Sequence, residues 1–298
     1  MPTINVIALS EPRCVYDGAD TALPVQKRRF ALLAYLAIER SAPRTRIVAL
    51  FYPEIDEARA ARRLTQSIYS IRQVFGNDCI ETRGGELRAC ESLVSDACDF
   101  GTLADRGEYE LAFGLYRRPF LDGFYLSDAC DWERWVERKR AVLARTFAQA
   151  ARLSISRFIE RGNYPAAVAC SSRWLELDED NLEAHRLFMT ALARSGRGED
   201  ALCHYQGWER ALREHQGDVP CEQMRTFLEG LRQTIAATPA RNDQVRDERT
   251  STMAPTTITI AAAPVQSVES QDTKGAPETS SGLRGIIRRA LQQSIAAL

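Results

Sequence analysis

The sequence predicts a mainly α-helical chain with a small β component: a strand-and-helix unit, an all-helical unit and a disordered tail. Three features carry that expectation. Apolar residues recur at helical period through Glu57–Gly76, Gly84-Gly85 separates two short β-prone runs, and residues 96–235 repeat one Gly-to-Ala spacing almost without strand signal.

The segment EARAARRLTQSIYSIRQVFG is the most informative. Ala61, Leu64, Ile68, Ile71 and Phe75 follow one another at spacings of three and four, the stripe of a helix with one buried face. At about 3.6 residues per turn the opposite face holds Arg59, Arg62, Arg63, Gln66, Tyr69, Ser70 and Gln73, with Arg72 on the flank. That surface has no acid, whereas a merely solvated helix mixes acids with bases. Arg and Gln make bidentate contacts with guanine and adenine edges, and Ser and Tyr reach phosphate. Its neighbours favour DNA recognition over a plain solvated face.

Residues 4–9 and 13–16 read as short strands around Glu11-Pro12, and Asp17-Gly18 turns toward a third strand over 21–25. KRRFALLAYLAIER, residues 27–40, forms a helix with a basic first turn, ended by Pro43. Thr45 is placed to cap a second helix, RIVALFY, which Pro53 ends, and Asp56 to cap the third. Beyond it, residues 79–83 and 86–90 flank Gly84-Gly85, a dipeptide suited to a two-residue hairpin turn. Three strands, three helices and a closing hairpin make a winged helix-turn-helix domain over 1–95, its third helix placed for the major groove. Arg83 and Arg88 give the hairpin a basic character suited to a wing beside the backbone. The same turn pairs Arg83 with Glu86 and, counting outward, Cys79 with Cys90. Two reduced, packed thiols are the expectation there; the alternative is a pair whose oxidation locks the hairpin.

Past residue 95 the pattern turns helical. Gly107 and Ala112, Gly162 and Ala167, and Gly196 and Ala201 each place Ala five residues after Gly, which suits a tight helix–helix turn followed by a close contact. The last two turns lie 34 residues apart, the tetratricopeptide period, although Glu179 stands where Pro is usual and Trp174 replaces a small residue. A long helix over 131–161 places Trp132, Trp135, Leu143, Phe147 and Phe158 in the core. Residues 96–236 therefore read as a degenerate tetratricopeptide-like α-helical domain. Residues 237–282, rich in Thr, Ala, Pro and Ser, read as a disordered linker. Residues 283–298 are expected to form a short amphipathic helix, with Leu283, Ile287, Leu291, Ile295 and Leu298 on one side for surface docking.

With 298 residues and a net charge of −1, about two domains are expected and any basic patch is local. No long apolar run or basic leader appears, so the expectation is a cytoplasmic protein without a membrane partner. The eight cysteines include no CxxC and there are three histidines, so neither a metal nor a cofactor is expected. No phosphate-binding loop or nucleophile elbow is present. Asp178 with Asp180, and His204 beside Cys203, fall where repeat turns and helices put them, so no catalysis is expected.

The segments KRRFALLAYLAIE, RIVALFYPE, ARRLTQSIYSIRQVFG, LYRRPFLDGF, WERWVERKR and LEAHRLFMTALARSGRGEDALCHYQGWERALREHQGDVP, in that order, resemble the SARP antibiotic-regulator family over residues 4–235. The resemblance implies an OmpR-like winged helix followed by a bacterial transcriptional activator domain. It implies a sequence-specific activator of a pathway-specific gene cluster of the secondary-metabolite type. Such a protein binds direct repeats in double-stranded DNA as a homodimer and recruits RNA polymerase. Carried over by position, the recognition surface is again Arg59, Arg62, Arg63, Gln66, Tyr69, Ser70 and Gln73, and Arg72 matches an arginine usual near the end of that helix. The sequence departs from the family where ELG-x-x-P appears as EHQGDVP, and no receiver or nucleotide-binding domain is recognisable. The rival reading is a tetratricopeptide-like protein-binding adaptor without specific DNA binding.

Overall fold

The computed structural model describes residues 2–21, 27–216 and 220–237. The expected strand residues 22–25, the linker and the C-terminal amphipathic helix lie outside the described residues.

Near the N-terminus, β1 (Ile4–Ile7) pairs antiparallel with β2 (Arg13–Tyr16), Ile4 opposite Tyr16, and β2 with the two-residue β3 (Ala19–Asp20). Ile4 and Val6 alternate inward, the period of a half-buried strand. Helix α1 (Lys27–Glu39) follows, then β4 (Ser41–Pro43), α2 (Arg44–Phe51) and α3 (Glu57–Phe75). The hairpin is β5 (Ile80–Arg83) and β6 (Glu86–Ala89), and β7 (Leu93–Ser95) closes this part of the chain. Two sheets result, one ordered β3-β2-β1-β7 with β7 parallel to β1, the other β4-β6-β5.

Several local expectations need correction. Helix α1 stops at Glu39 because Arg40 adopts φ +64°, before Pro43 is reached. Pro43 instead ends β4, an edge strand where its missing N–H costs no ladder bond, opposite Glu86. Pro43 also occupies the N-cap of α2, so Thr45 lies inside the helix and caps nothing. Strands β4 and β7 were not foreseen; three residues each, they exist through their pairing with β6 and β1.

Among the described residues seven helices follow: α4 (Asp96–Asp105), α5 (Tyr109–Leu115), α6 (Cys130–Glu160), α7 (Tyr164–Leu177), α8 (Leu182–Arg194), α9 (Gly198–Gln216) and α10 (Glu222–Ala237). The repeated spacing does what its residues suggest. Gly107, Gly162 and Gly196 take φ +72°, +71° and +83°, and Ala112, Ala167 and Ala201 are fully buried. Trp132, Trp135 and Phe147 are buried, whereas Leu143 and Phe158 pack half-buried at its edge.

One apolar core runs from β1 through α8 without a break between β7 and α4. An aromatic chain crosses that junction: Tyr35 and Phe51 lie 5.0 and 5.1 Å from Trp135 and Trp132, and Phe30 lies 5.3 Å from Phe124. Polar bonds fix the same seam. The Asp96 carboxylate accepts from the N–H groups of Ala8 and Leu9 at 2.8 and 2.9 Å, and Glu39 accepts from the Trp135 indole at 2.8 Å and Lys139 at 3.0 Å. Burial favours the neutral form of Glu39, but those two donors, with the charges of Lys139 and Arg46, outweigh it and hold its carboxyl below the ordinary value. The elements before and after Ser95 therefore meet through packing, not through a loose tether. A smaller cluster of Met189, Leu192, Ala193, Ala201, Tyr205, Met224 and Leu231 joins α8, α9 and α10.

Candidate nucleic-acid interface

Helix α3 is held from both ends. Asp56 accepts from the Arg59 N–H at 2.9 Å as the N-cap, and Gly76, at φ +92°, returns its N–H to the Arg72 carbonyl at 2.8 Å. Ala60, Leu64, Ile68, Ile71 and Phe75 form the buried stripe, and Phe75 meets Tyr16 edge-on at 5.1 Å. The inward alanine is thus Ala60, four residues before Leu64, while Ala61 is only half-buried.

That packing turns Arg59, Arg62, Arg63, Gln66, Tyr69 and Gln73 to solvent, with Tyr69 63% exposed, and leaves Ser70 half-buried. Arg59 leans on Asp56 at 3.4 Å and Arg62 donates to the Ala58 carbonyl at 3.2 Å. Among the described residues Arg63, Gln66, Tyr69 and Gln73 hold no side-chain partner, so their donors and acceptors point outward unspent. Arg72 behaves differently. Its Nε and Nη2 donate to the Ile80 carbonyl at 3.1 and 2.6 Å, and Nη2 also reaches Thr82 Oγ1 at 3.3 Å, so it joins helix to hairpin instead of facing outward.

The hairpin has the expected register, Arg83 opposite Glu86, with Gly84 and Gly85 at φ +57° and +81°. Arg83 and Arg88 are both exposed, but Arg88 is bound to Glu86 at 3.0 Å while Arg83 has no acidic partner among the described residues. The register continues to the Cys90 N–H, which donates to the Cys79 carbonyl at 3.2 Å. Both thiols are free. Burial, reinforced by Cys90 against the pull of Arg72, pushes the Cys79 thiol up to about 11, so little thiolate exists to start oxidation near neutral pH. The Cys90 thiol lies 3.0 Å from the Ser92 hydroxyl.

Two contributors were missed. Arg44 donates to Thr65 Oγ1 at 2.9 Å, which carries the basic surface from α3 onto the start of α2. Lys27, Arg28 and Arg29, the first turn of α1, border the same side as Arg63 and Gln66. The runs KRR and RTR were the available signal, but only the fold places them beside α3. Among the described residues no cluster of three metal-ligating side chains occurs, and no helix is long and apolar enough to cross a membrane.

The family model described as the bacterial transcriptional activator domain matches residues 89–245, more than half of the chain. The chain belongs to the bacterial transcriptional activator domain family. That membership makes it a transcriptional regulator by family. No curated protein matches it. Among solved structures it is similar to Mycobacterium tuberculosis EmbR in complex with a low-affinity phosphopeptide, at a TM-score of 0.59 and 17% identity. The match covers 80% of this chain and 69% of that one. At that identity the likeness concerns the fold.

Proposed function

We propose that this member of the bacterial transcriptional activator domain family is a sequence-specific DNA-binding activator of the SARP type. Residues 1–95 are read as an OmpR-like winged helix and residues 96–236 as the tetratricopeptide-like activator domain. Helix α3 enters the major groove, where Arg59, Arg62, Arg63, Gln66, Tyr69, Ser70 and Gln73 meet bases and phosphates, and Arg83 and Arg88 of the hairpin lie along the backbone. Arg72 sets the angle between the two. The protein binds direct repeats as a homodimer and recruits RNA polymerase to a pathway-specific gene cluster of the secondary-metabolite type.

One observation carries the reading: from Arg59 to Gln73 the exposed face of a rigidly capped, well-packed helix holds Arg, Gln and Tyr and no carboxylate. Surface charge of one sign on an acidic-to-neutral protein has no stabilising role in the fold, and it matches a polyanion. Selection of duplexes from a randomised pool by the full chain tests it. Enrichment of a repeated motif, with affinity falling steeply as salt rises, is expected. Recovery of unenriched sequence at every round would favour the adaptor reading.

A further inference from the structure

We propose that a basic cleft between the start of α1 and residues 125–127 seats a phosphate of the bound duplex, so that α1 and the link before α6 extend the interface beyond α3. The inference rests on the DNA-binding reading above. The open cleft has a volume of about 920 Å³ and lies directly beside Arg63 and Gln66 of α3. Lys27 and Arg29 line its other side, and neither they nor Arg63 hold an acidic partner among the described residues. Arg28 builds the cleft: its guanidinium lies 5.3 Å over the Tyr52 ring and donates to the Ser127 carbonyl at 3.1 Å, tying α1 to the far wall. The one carboxylate among the lining residues, Glu133, is turned to the backbone, accepting from the Leu126 N–H at 2.9 Å. Four cations against that one carboxylate leave the cleft with an excess of positive charge.

A second observation points the same way. The first turn of α1 carries three cations and no acid, at the end of a helix where the macrodipole already presents positive charge. Among the described residues no acid within that turn offsets these charges. A phosphate would satisfy the dipole and the free cations together. The duplex backbone is favoured over a small free anion for two reasons. The cleft is open, not enclosed, and it is continuous with the outward face of α3 through two residues common to both. Tyr125, 57% exposed beside it, supplies a hydroxyl within the same stretch.

The test compares the full-length wild type with the double variant Lys27→Ala, Arg29→Ala. It uses a duplex selected by the wild type and an unrelated duplex, across roughly 50–200 mM salt. The expected result is a loss of about tenfold or more on both duplexes, an unchanged ratio between them, and a log K against log salt slope shallower by about 1.8, two contacts at about 0.9 each. A control pair on the outer face of α6, Arg145→Ala with Arg152→Ala, should leave the slope near wild type, and the cleft variant should melt no lower than wild type, because it removes cations from a helix N-terminus. An unchanged slope in the cleft variant, while the wild type still binds, overturns the cleft and leaves the DNA-binding reading standing. Absence of duplex binding by the wild type overturns both. A further arm titrates inorganic phosphate without DNA. Saturable binding below about 1 mM that the double variant loses would assign the cleft to a small anion and overturn the duplex assignment.

Discussion

The guanidinium of Arg72, near the end of α3, donates twice to the carbonyl of Ile80 at the base of the hairpin, at 3.1 and 2.6 Å. The contact reaches from α3 to a β-strand eight residues on, across the 3₁₀ turn Asn77–Cys79. Replacing it by methionine keeps the half-buried stem and removes every donor. Hydrogen bonds from a charged group contribute about 1.5–3 kcal/mol, so Arg72→Met should lower stability by about 1–2 kcal/mol at this partly exposed site. Urea unfolding gives the stability, and hydrogen exchange at residues 80–83 gives the locality. Exchange there should quicken more than in α6; uniform quickening would mean that Arg72 does not act on the hairpin in particular.

Gly198 is a glycine of contact, not of conformation. A Cβ added there would stand 2.5 Å from Ile235 Cγ2 and 2.9 Å from Cγ1, atoms of a stiff β-branched side chain on α10. Gly198→Ala should therefore destabilise by about 1–3 kcal/mol through overpacking. Gly207, also within α9, meets nothing within 4 Å, so Gly207→Ala should stabilise by about 0.5–1 kcal/mol through helix propensity. Equal effects in thermal melts would show that α10 does not lie against the start of α9.

Buried His185 and half-buried His204 form a pair whose protonation follows from its partners. His185 Nε2 lies 2.8 Å from the Glu179 carbonyl, which only accepts, so that nitrogen carries the proton and Nδ1 accepts from His204 Nε2–H at 2.8 Å. Burial, with His185 alongside, pushes His204 down to about 4; burial also lowers His185, against the Glu179 carbonyl and the carboxylates of Asp180 and Asp178. An unfolded histidine titrates near 6.5, so between there and about 4 the unfolded chain binds more protons than the folded one. The stabilising contribution is complete above pH 6.5 and is lost as pH falls through that window. Asp96 acts in the opposite sense, since burial raises its carboxyl to about 6 despite the N–H groups of Leu9 and Ala8. A difference between two proteins isolates the histidine term. His204→Gln should flatten the fall in Tm between pH 6.5 and 4.5, and parallel curves for the two proteins would show that the pair does not titrate as described.

Legibility followed the range of the interactions. The hairpin register was readable because two adjacent glycines with positive φ admit one local solution, Arg83 opposite Glu86. The three Gly-to-Ala turns were readable for the same reason. Spacings of three and four could not choose between Ala60 and Ala61, because both lie one helical turn before Leu64. Arg72 looked like a flank residue because a helical wheel gives a direction and not a neighbour; its partner exists only once the hairpin folds back. Lys27 to Arg29 read as a basic first turn, but the far wall of their cleft is drawn from residues 125–127, about a hundred positions away. No local pattern reports that distance.

The face of α3 is the central claim, and one measurement reaches it most directly. The triple variant Arg59→Ala, Arg63→Ala, Gln66→Ala removes exposed side chains and none of the buried stripe, so its Tm should change little. Fluorescence anisotropy on the duplex selected by the wild type then compares the two. Direct base contacts contribute about 1–3 kcal/mol each in discrimination, so the triple variant should bind the selected duplex at least about a hundredfold more weakly and with no preference over unrelated DNA. Wild-type affinity and preference in a folded triple variant would contradict DNA recognition by this helix.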